Sequence, residues 1–110
     1  MSRKIIAYKH YYEDFFNSLK DEATKEKVLY GMLMLKTMDR LPAKFVKSIE
    51  DGIYELRIEW NGNIYRIFFC FDCGNIVVLF NGFQKKTQKT PRKEIEKAKK
   101  LKKQYFDEKG

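Results

Sequence analysis

The sequence predicts an α+β fold: a small antiparallel sheet, a meander plus an N-terminal strand, with N-terminal helices on one face and a C-terminal helix after the last strand. Three observations carry that expectation. At Ile53 the apolar spacing changes from the three-to-four repeat of a helix to the two-residue repeat of a half-buried strand. Asn61-Gly62 interrupts the alternating stretch, and this dipeptide suits the two positive φ angles of a type I′ hairpin turn. Thr90-Pro91 then precedes a lysine-rich stretch with Ile95, Ala98, Leu101 and Tyr105 at helical spacing. At 110 residues, one domain spanning 1–110 is expected, long enough to bury a core and too short for two.

In chain order, residues 5–8 read as a short β-branched opening strand and residues 11–20 as a helix that turns Phe15, Phe16 and Leu19 inward. Asp21 is placed to cap a second helix running to about residue 37, with Glu22 favourable in its first turn. The later half of that helix is apolar nearly all round. Burial on several sides is the expected reason, with cover by another protein as the alternative. Gly31 lowers its helix propensity by about 1 kcal/mol relative to alanine. Leu41-Pro42-Ala43-Lys44 breaks the helix, and residues 45–51 lead by a loop or short strand into the hairpin. There Tyr54, Leu56 and Ile58 fall opposite Phe69, Ile67 and Tyr65, an apolar face for the helices to cover. Glu55, Arg57, Glu59 and Arg66 take the other face. A turn with Cys73-Gly74 at its centre returns the chain through residues 76–83 and sets Asn81 beside Arg66. Thr90 is the expected N-cap of the last helix and Pro91 its first residue.

Composition narrows the partner. The chain is 44% hydrophobic and 15% aromatic, which argues against disorder, and its formal net charge of +8 calls for something anionic, nucleic acid before membrane. No apolar run approaches the roughly 20 residues of a membrane helix. The N-terminal apolar stretch is too short for a signal peptide, so a cytoplasmic protein is expected. Cys70 and Cys73 have a zinc-like spacing but only His10 to join them, so no metal and no cofactor are expected, and two reduced thiols suffice.

The chemistry centres on a pair of arginines. The Asn61-Gly62 turn pairs Trp60 with Asn63 and, stepping back, Arg57 with Arg66. Like charges directly opposed cost up to about 1 kcal/mol, so the pair asks for an anion over it. The basic run from Lys85 follows one strand later. A nucleophile elbow, a glycine-rich phosphate loop and a histidine near the basic strands are all missing. RNA, however, carries its own nucleophile in the 2′-hydroxyl, and an enzyme that cleaves it can work by orienting that group and stabilising the phosphorane. Arg57 and Arg66 would grip the phosphate bidentately. Arginine is a poor base, whereas neighbouring cations depress the pKa of a lysine, making Lys85 the first acid/base candidate and Lys86 the second. Gln88, Lys89, Asn81, Arg92 and Lys93 are the expected RNA contacts. Tyr54, Tyr65 or Phe83 would stack on a base if exposed, with core burial favoured for the tyrosines.

Gly52-Ile-Tyr-Glu-Leu-Arg57, Tyr65-Arg-Ile-Phe68, Ile76-Val-Val-Leu-Phe-Asn-Gly-Phe83, Lys85-Lys-Thr-Gln-Lys-Thr-Pro91 and Glu94-Ile-Glu-Lys-Ala98 together resemble HigB-like toxins of the RelE/ParE superfamily, the phage-derived Gp49-like group. The resemblance is strongest over residues 52–98. It implies a RelE-like fold and the toxin of a type II toxin–antitoxin pair, an endoribonuclease that cuts messenger RNA, commonly on the ribosome, without a metal. It implies a helix-turn-helix, HigA-like antitoxin as partner. Arg57 and Arg66 match the family's basic sheet residues, and Lys85 and Lys86 its basic group after the last strand. Some relatives add a C-terminal histidine; here the tail has none. The alternatives are a ParE-like gyrase inhibitor and a non-catalytic nucleic-acid binder of the same fold.

Overall fold

A computed structural model describes residues 2–85 and 90–110. The elements run β1 (Lys4–Ala7), α1 (Tyr11–Ser18), α2 (Glu22–Thr37), β2 (Val46–Glu50), β3 (Ile53–Trp60), β4 (Asn63–Asp72), β5 (Ile76–Lys85) and α3 (Arg92–Lys109). One sheet of order β1-β5-β4-β3-β2 results. β2 to β5 form an antiparallel meander, and β1 joins the outer edge of β5 in parallel.

Local chemistry accounts for the joints. Asn61 and Gly62 adopt φ of 52° and 80°, as the hairpin turn requires. The Asp21 carboxylate accepts from the Ala23 amide and the Thr24 hydroxyl, capping α2. Gly31 does not break α2; a Cβ there would lie 3.0 Å from the Ile58 side chain, so the glycine lets the helix rest closely on β3. Residues 46–50 form a true strand, paired with β3 through a two-residue Asp51-Gly52 turn.

Two cores sandwich the sheet. On one face α1 and α2 cover Leu56, Ile58, Tyr65, Ile67, Phe69, Val77 and Leu79, with Phe15, Leu19, Val28 and Leu35 from the helices. On the other, Ile95, Ala98 and Leu101 of α3 pack on Ile53, Phe68, Cys70, Val78 and Phe80. The sheet is therefore covered on both faces, and β4 and β5 carry buried residues on both, as a doubly covered strand must.

The structure corrects two expectations and divides a third. The 73–75 turn holds three residues, and a bulge between Ile67 and Phe69 shifts the ladder again, so Arg66 faces Phe83 and not Asn81. α3 begins at Arg92 with Pro91 as its cap residue, and the Thr90 side chain caps nothing. In α2, Val28, Gly31 and Leu35 are buried while Leu29, Tyr30 and Leu33 are each more than half exposed, so core burial accounts for only one side of that helix.

Candidate nucleic-acid interface

The face of the sheet that α3 half covers presents its side chains in rows. Arg57 pairs with Arg66, and Arg66 with Phe83. At the outer end of that row the Arg57 amide donates to the Phe45 carbonyl at 2.7 Å, which sets Phe45 beside Arg57. The neighbouring row towards the Asn61-Gly62 turn runs from Glu59 through Ile64 to Lys85. The row on the other side brings Lys47 opposite Glu55.

The two arginines do not share a role. Arg66 is buried, and its Nη1 donates to Glu55 Oε1 at 2.9 Å and to the Thr90 hydroxyl at 2.7 Å. The Thr90 hydroxyl in turn donates to Glu55 Oε2 at 2.9 Å, closing a ring of three side chains around a fully buried carboxylate. Glu55 is thus the anion that the facing arginines call for. Arg57 stays part-exposed, and among the described residues its ion pairs are long contacts of 3.9 Å to Glu55 and to Glu59. A cleft of about 180 Å³ opens beside it, lined by Lys44, Phe45, Arg57 and Glu59.

Lys85 lies on the same face, almost wholly buried, and its Nζ has no hydrogen-bond partner among the described residues. Burial pushes its pKa below the usual lysine value, the guanidinium groups of Arg66 and Arg57 and the Lys47 ammonium push it further, and Glu55 opposes them.

A family model described as phage-derived protein Gp49-like matches residues 14–103. The chain belongs to that family. Its members are the HigB-like, RelE-type proteins that the sequence resembles, and membership supports a toxin of the toxin–antitoxin kind with an antitoxin as its partner. Among solved structures, the solution structure of the conserved hypothetical protein HP0894 from Helicobacter pylori matches with a TM-score of 0.50 at 12% identity, over 74% of this chain and 93% of that one. At that identity the likeness concerns the fold. No curated protein sequence matches the chain significantly.

In this Gp49-like chain the other expected contacts have divided fates. Asn81 is buried and donates to the carbonyl and carboxylate of Glu94, so it anchors α3 rather than facing outward. Arg92 is exposed but bound to Glu50 and Glu96. Lys93 is exposed on the first turn of α3. Lys86, Gln88 and Lys89 lie outside the described residues. Tyr65 belongs to the core and Tyr54 packs against it, while Phe83 is half-buried against Phe68 on the arginine face.

Three contributors escaped the sequence reading. Glu55 was visible on the polar face by strand alternation, yet its diagonal contact with Arg66 needed the register. Phe45 falls beside Arg57 only because β2 shifts register between Ser48 and Glu50; counting back from the Asp51-Gly52 turn would have placed Val46 there. Thr90 gave no signal beyond its capping propensity. Cys70 is buried with its thiol pushed up to about 11 by burial, and Cys73 is exposed and free. Among the described residues no three His, Cys, Asp or Glu side chains group as a metal would need, and no helix is long and apolar enough to cross a membrane.

Proposed function

We propose that the chain is the toxin of a type II toxin–antitoxin pair and an endoribonuclease that cleaves messenger RNA on the ribosome without a metal, held in check by a helix-turn-helix, HigA-like antitoxin. One observation carries the reading: Arg57, Arg66, Lys85 and Lys47 surround a single buried carboxylate, so the face keeps a positive excess that a phosphate would neutralise. Arg57 is the guanidinium at the surface and takes the non-bridging oxygens of the scissile phosphate. Arg66, fixed by Glu55 and Thr90, orients the sheet beneath it. The 2′-oxygen attacks phosphorus, its proton passes to the Lys85 amine, and the P–O5′ bond breaks to leave a 2′,3′-cyclic phosphate and a 5′-oxygen that takes up a proton. The Lys85 Nζ lies below the surface, so this role requires RNA binding to open the site above it. Lys93, exposed on the first turn of α3, and Lys86, Gln88 and Lys89, which follow Lys85 in the sequence, are the further proposed RNA contacts.

Induction of the chain followed by mapping of RNA ends tests the reading. Messenger cut within translated codons, with cyclic-phosphate ends, is the expected result. Growth arrest with intact RNA and a DNA-damage response would replace it with the gyrase-inhibitor reading. Because Glu55 already neutralises Arg66, a binder without cleavage is the second reading. It predicts that Arg57→Ala weakens RNA binding while no ends appear in either protein.

A further inference from the structure

We infer that the cleft beside Arg57 is a nucleobase subsite selective for guanine. This rests on the reading of the arginine face as an RNA site and adds what that reading lacks, a means of choosing the sequence.

Phe45 belongs to neither core, although most aromatic rings of the chain do. It is half-buried at the outer end of the row that holds Arg57 and Arg66, fixed there by the bond between its carbonyl and the Arg57 amide. A ring left out of the cores at the edge of a cleft is a platform on which a single-stranded base stacks, and the part-exposed guanidinium beside it is left for the phosphate. The cleft volume of about 180 Å³ has room for one base.

Glu59 supplies the selectivity. Its carboxylate lines the cleft, is largely exposed, and has only the 3.9 Å contact with Arg57 among the described residues. An ionised carboxylate only accepts hydrogen bonds. Guanine alone presents two adjacent donors on its Watson–Crick edge, N1–H and the 2-amino group, and so satisfies both oxygens. Adenine and cytosine offer one amino group beside an acceptor that a carboxylate repels, and uracil one N–H between two carbonyls. The Lys44 Nζ lies over the Phe45 ring, 5.9 Å from its centroid, and a base stacking on that face would displace it towards the flanking phosphate. The cleft and Arg57 thus hold adjoining parts of one strand, the base in one and the phosphate at the other.

The test uses short single-stranded RNAs, uridine throughout except for one central guanosine, inosine or adenosine, and 2′-O-methylated so that no cleavage can occur. Fluorescence anisotropy on the full chain should rank them guanosine, inosine, adenosine, because inosine keeps N1–H but lacks the 2-amino donor. A bidentate contact to a base edge corresponds to a guanosine preference over adenosine of roughly ten-fold or more. Glu59→Gln, which replaces an acceptor by a donor, should bring that ratio near one, and Phe45→Ala should weaken all three RNAs together. Equal binding of guanosine and adenosine RNA, or a ratio that survives Glu59→Gln, overturns the subsite. The same RNAs without methylation, placed as messenger in the A site of ribosomes, separate the two claims. Guanosine preference without any cleavage keeps the subsite and sinks the ribonuclease, whereas cleavage indifferent to guanosine does the reverse.

Discussion

Arg57 and Arg66 sit opposite each other on one hairpin, and the same side chain meets two environments. Arg66 is 2% exposed and locked to Glu55 and Thr90, whereas Arg57 keeps a 24% exposed side chain and, among the described residues, no ion pair shorter than 3.9 Å. The position of α3 makes the difference. Thr90, just before the helix, closes over Glu55 and Arg66, and the packed face of α3 extends from there over Phe68 and Phe80. A basic face is therefore not a uniform unit. One arginine holds the fold together and lends its field, and the other is presented to whatever anion arrives.

The largest effect should come from breaking the buried member of this contrast. Glu55→Ala leaves a desolvated guanidinium without its partner and should cost about 3–5 kcal/mol in urea unfolding. Replacing both charges, Glu55→Leu with Arg66→Met, should recover most of that loss, because similar apolar volumes remove the desolvation cost of both ions. A single-substitution cost below about 1 kcal/mol, the range of exposed pairs, would show Arg66 to be solvated and the two arginines equivalent. Arg57→Ala should behave in the opposite manner. Unfolding should change by less than about 1 kcal/mol, while RNA cleavage falls roughly 100-fold, the usual cost of removing one donor to a developing anion.

Lys85 sharpens the same comparison, being buried like Arg66 but with no hydrogen-bond partner for its Nζ among the described residues. Its folded pKa lies below the unfolded value near 10.5, so the unfolded chain binds more protons between the two and stability rises with pH across that window. Lys85→Met should therefore stabilise the protein at neutral pH by about 1–3 kcal/mol, the cost of an unsatisfied buried polar group. That gain should shrink as pH climbs from the lowered pKa towards 10.5 and vanish above it. A constant difference at every pH would assign the effect to packing. In cleavage, the wild-type pH–rate profile should rise through an apparent pKa below that of ordinary lysine, and Lys85→Met should abolish that limb.

What the sequence disclosed follows the range of the forces involved. The Arg57–Arg66 pairing was legible because the Asn61-Gly62 turn is local and a hairpin register propagates from its turn. Asn81 was misplaced for the converse reason: the three-residue turn and the bulge at Ile67 and Phe69 each shift the ladder by one, and bulges leave little trace in the residues that make them. The Glu55–Arg66–Thr90 ring was hidden because it joins residues 11 and 35 positions apart in sequence. Thr90 looked like a cap since Thr-Pro before a helix usually is one, yet a buried ion pair in want of a further donor outweighed that local preference. Exposure of Leu29, Tyr30 and Leu33 was equally hidden, because apolarity alone does not reveal whether a helix face meets its own core or another chain.

The smallest effect tests what keeps α3 in place over one arginine and off the other. Glu50, at the end of β2, binds Arg92 and Lys99, and Lys99 also reaches Asp51, so the β2–β3 turn is stapled to the first half of α3. Hydrogen bonds from Arg92 and Lys99 hold the Glu50 carboxyl at about 2, below its ordinary 4.5. Its contribution is thus fully present above pH 4.5 and fades as pH falls towards 2. The sensitive reporters are the amides of Glu94 and Ile95, both bonded to the Pro91 carbonyl in the turn that carries Thr90. After correction for intrinsic exchange, their protection should drop in wild type between pH 4.5 and 2, and at neutral pH in Glu50→Gln, while the β4 amides stay protected. If the turn frees Thr90 as it loosens, Arg66 should gain solvent access and the two arginines should grow alike in reactivity towards a guanidine-specific reagent. Protection indifferent to both pH and substitution would instead mean that the Glu55 ring alone positions Thr90, and that the contrast between the arginines is set in the sheet before α3 docks.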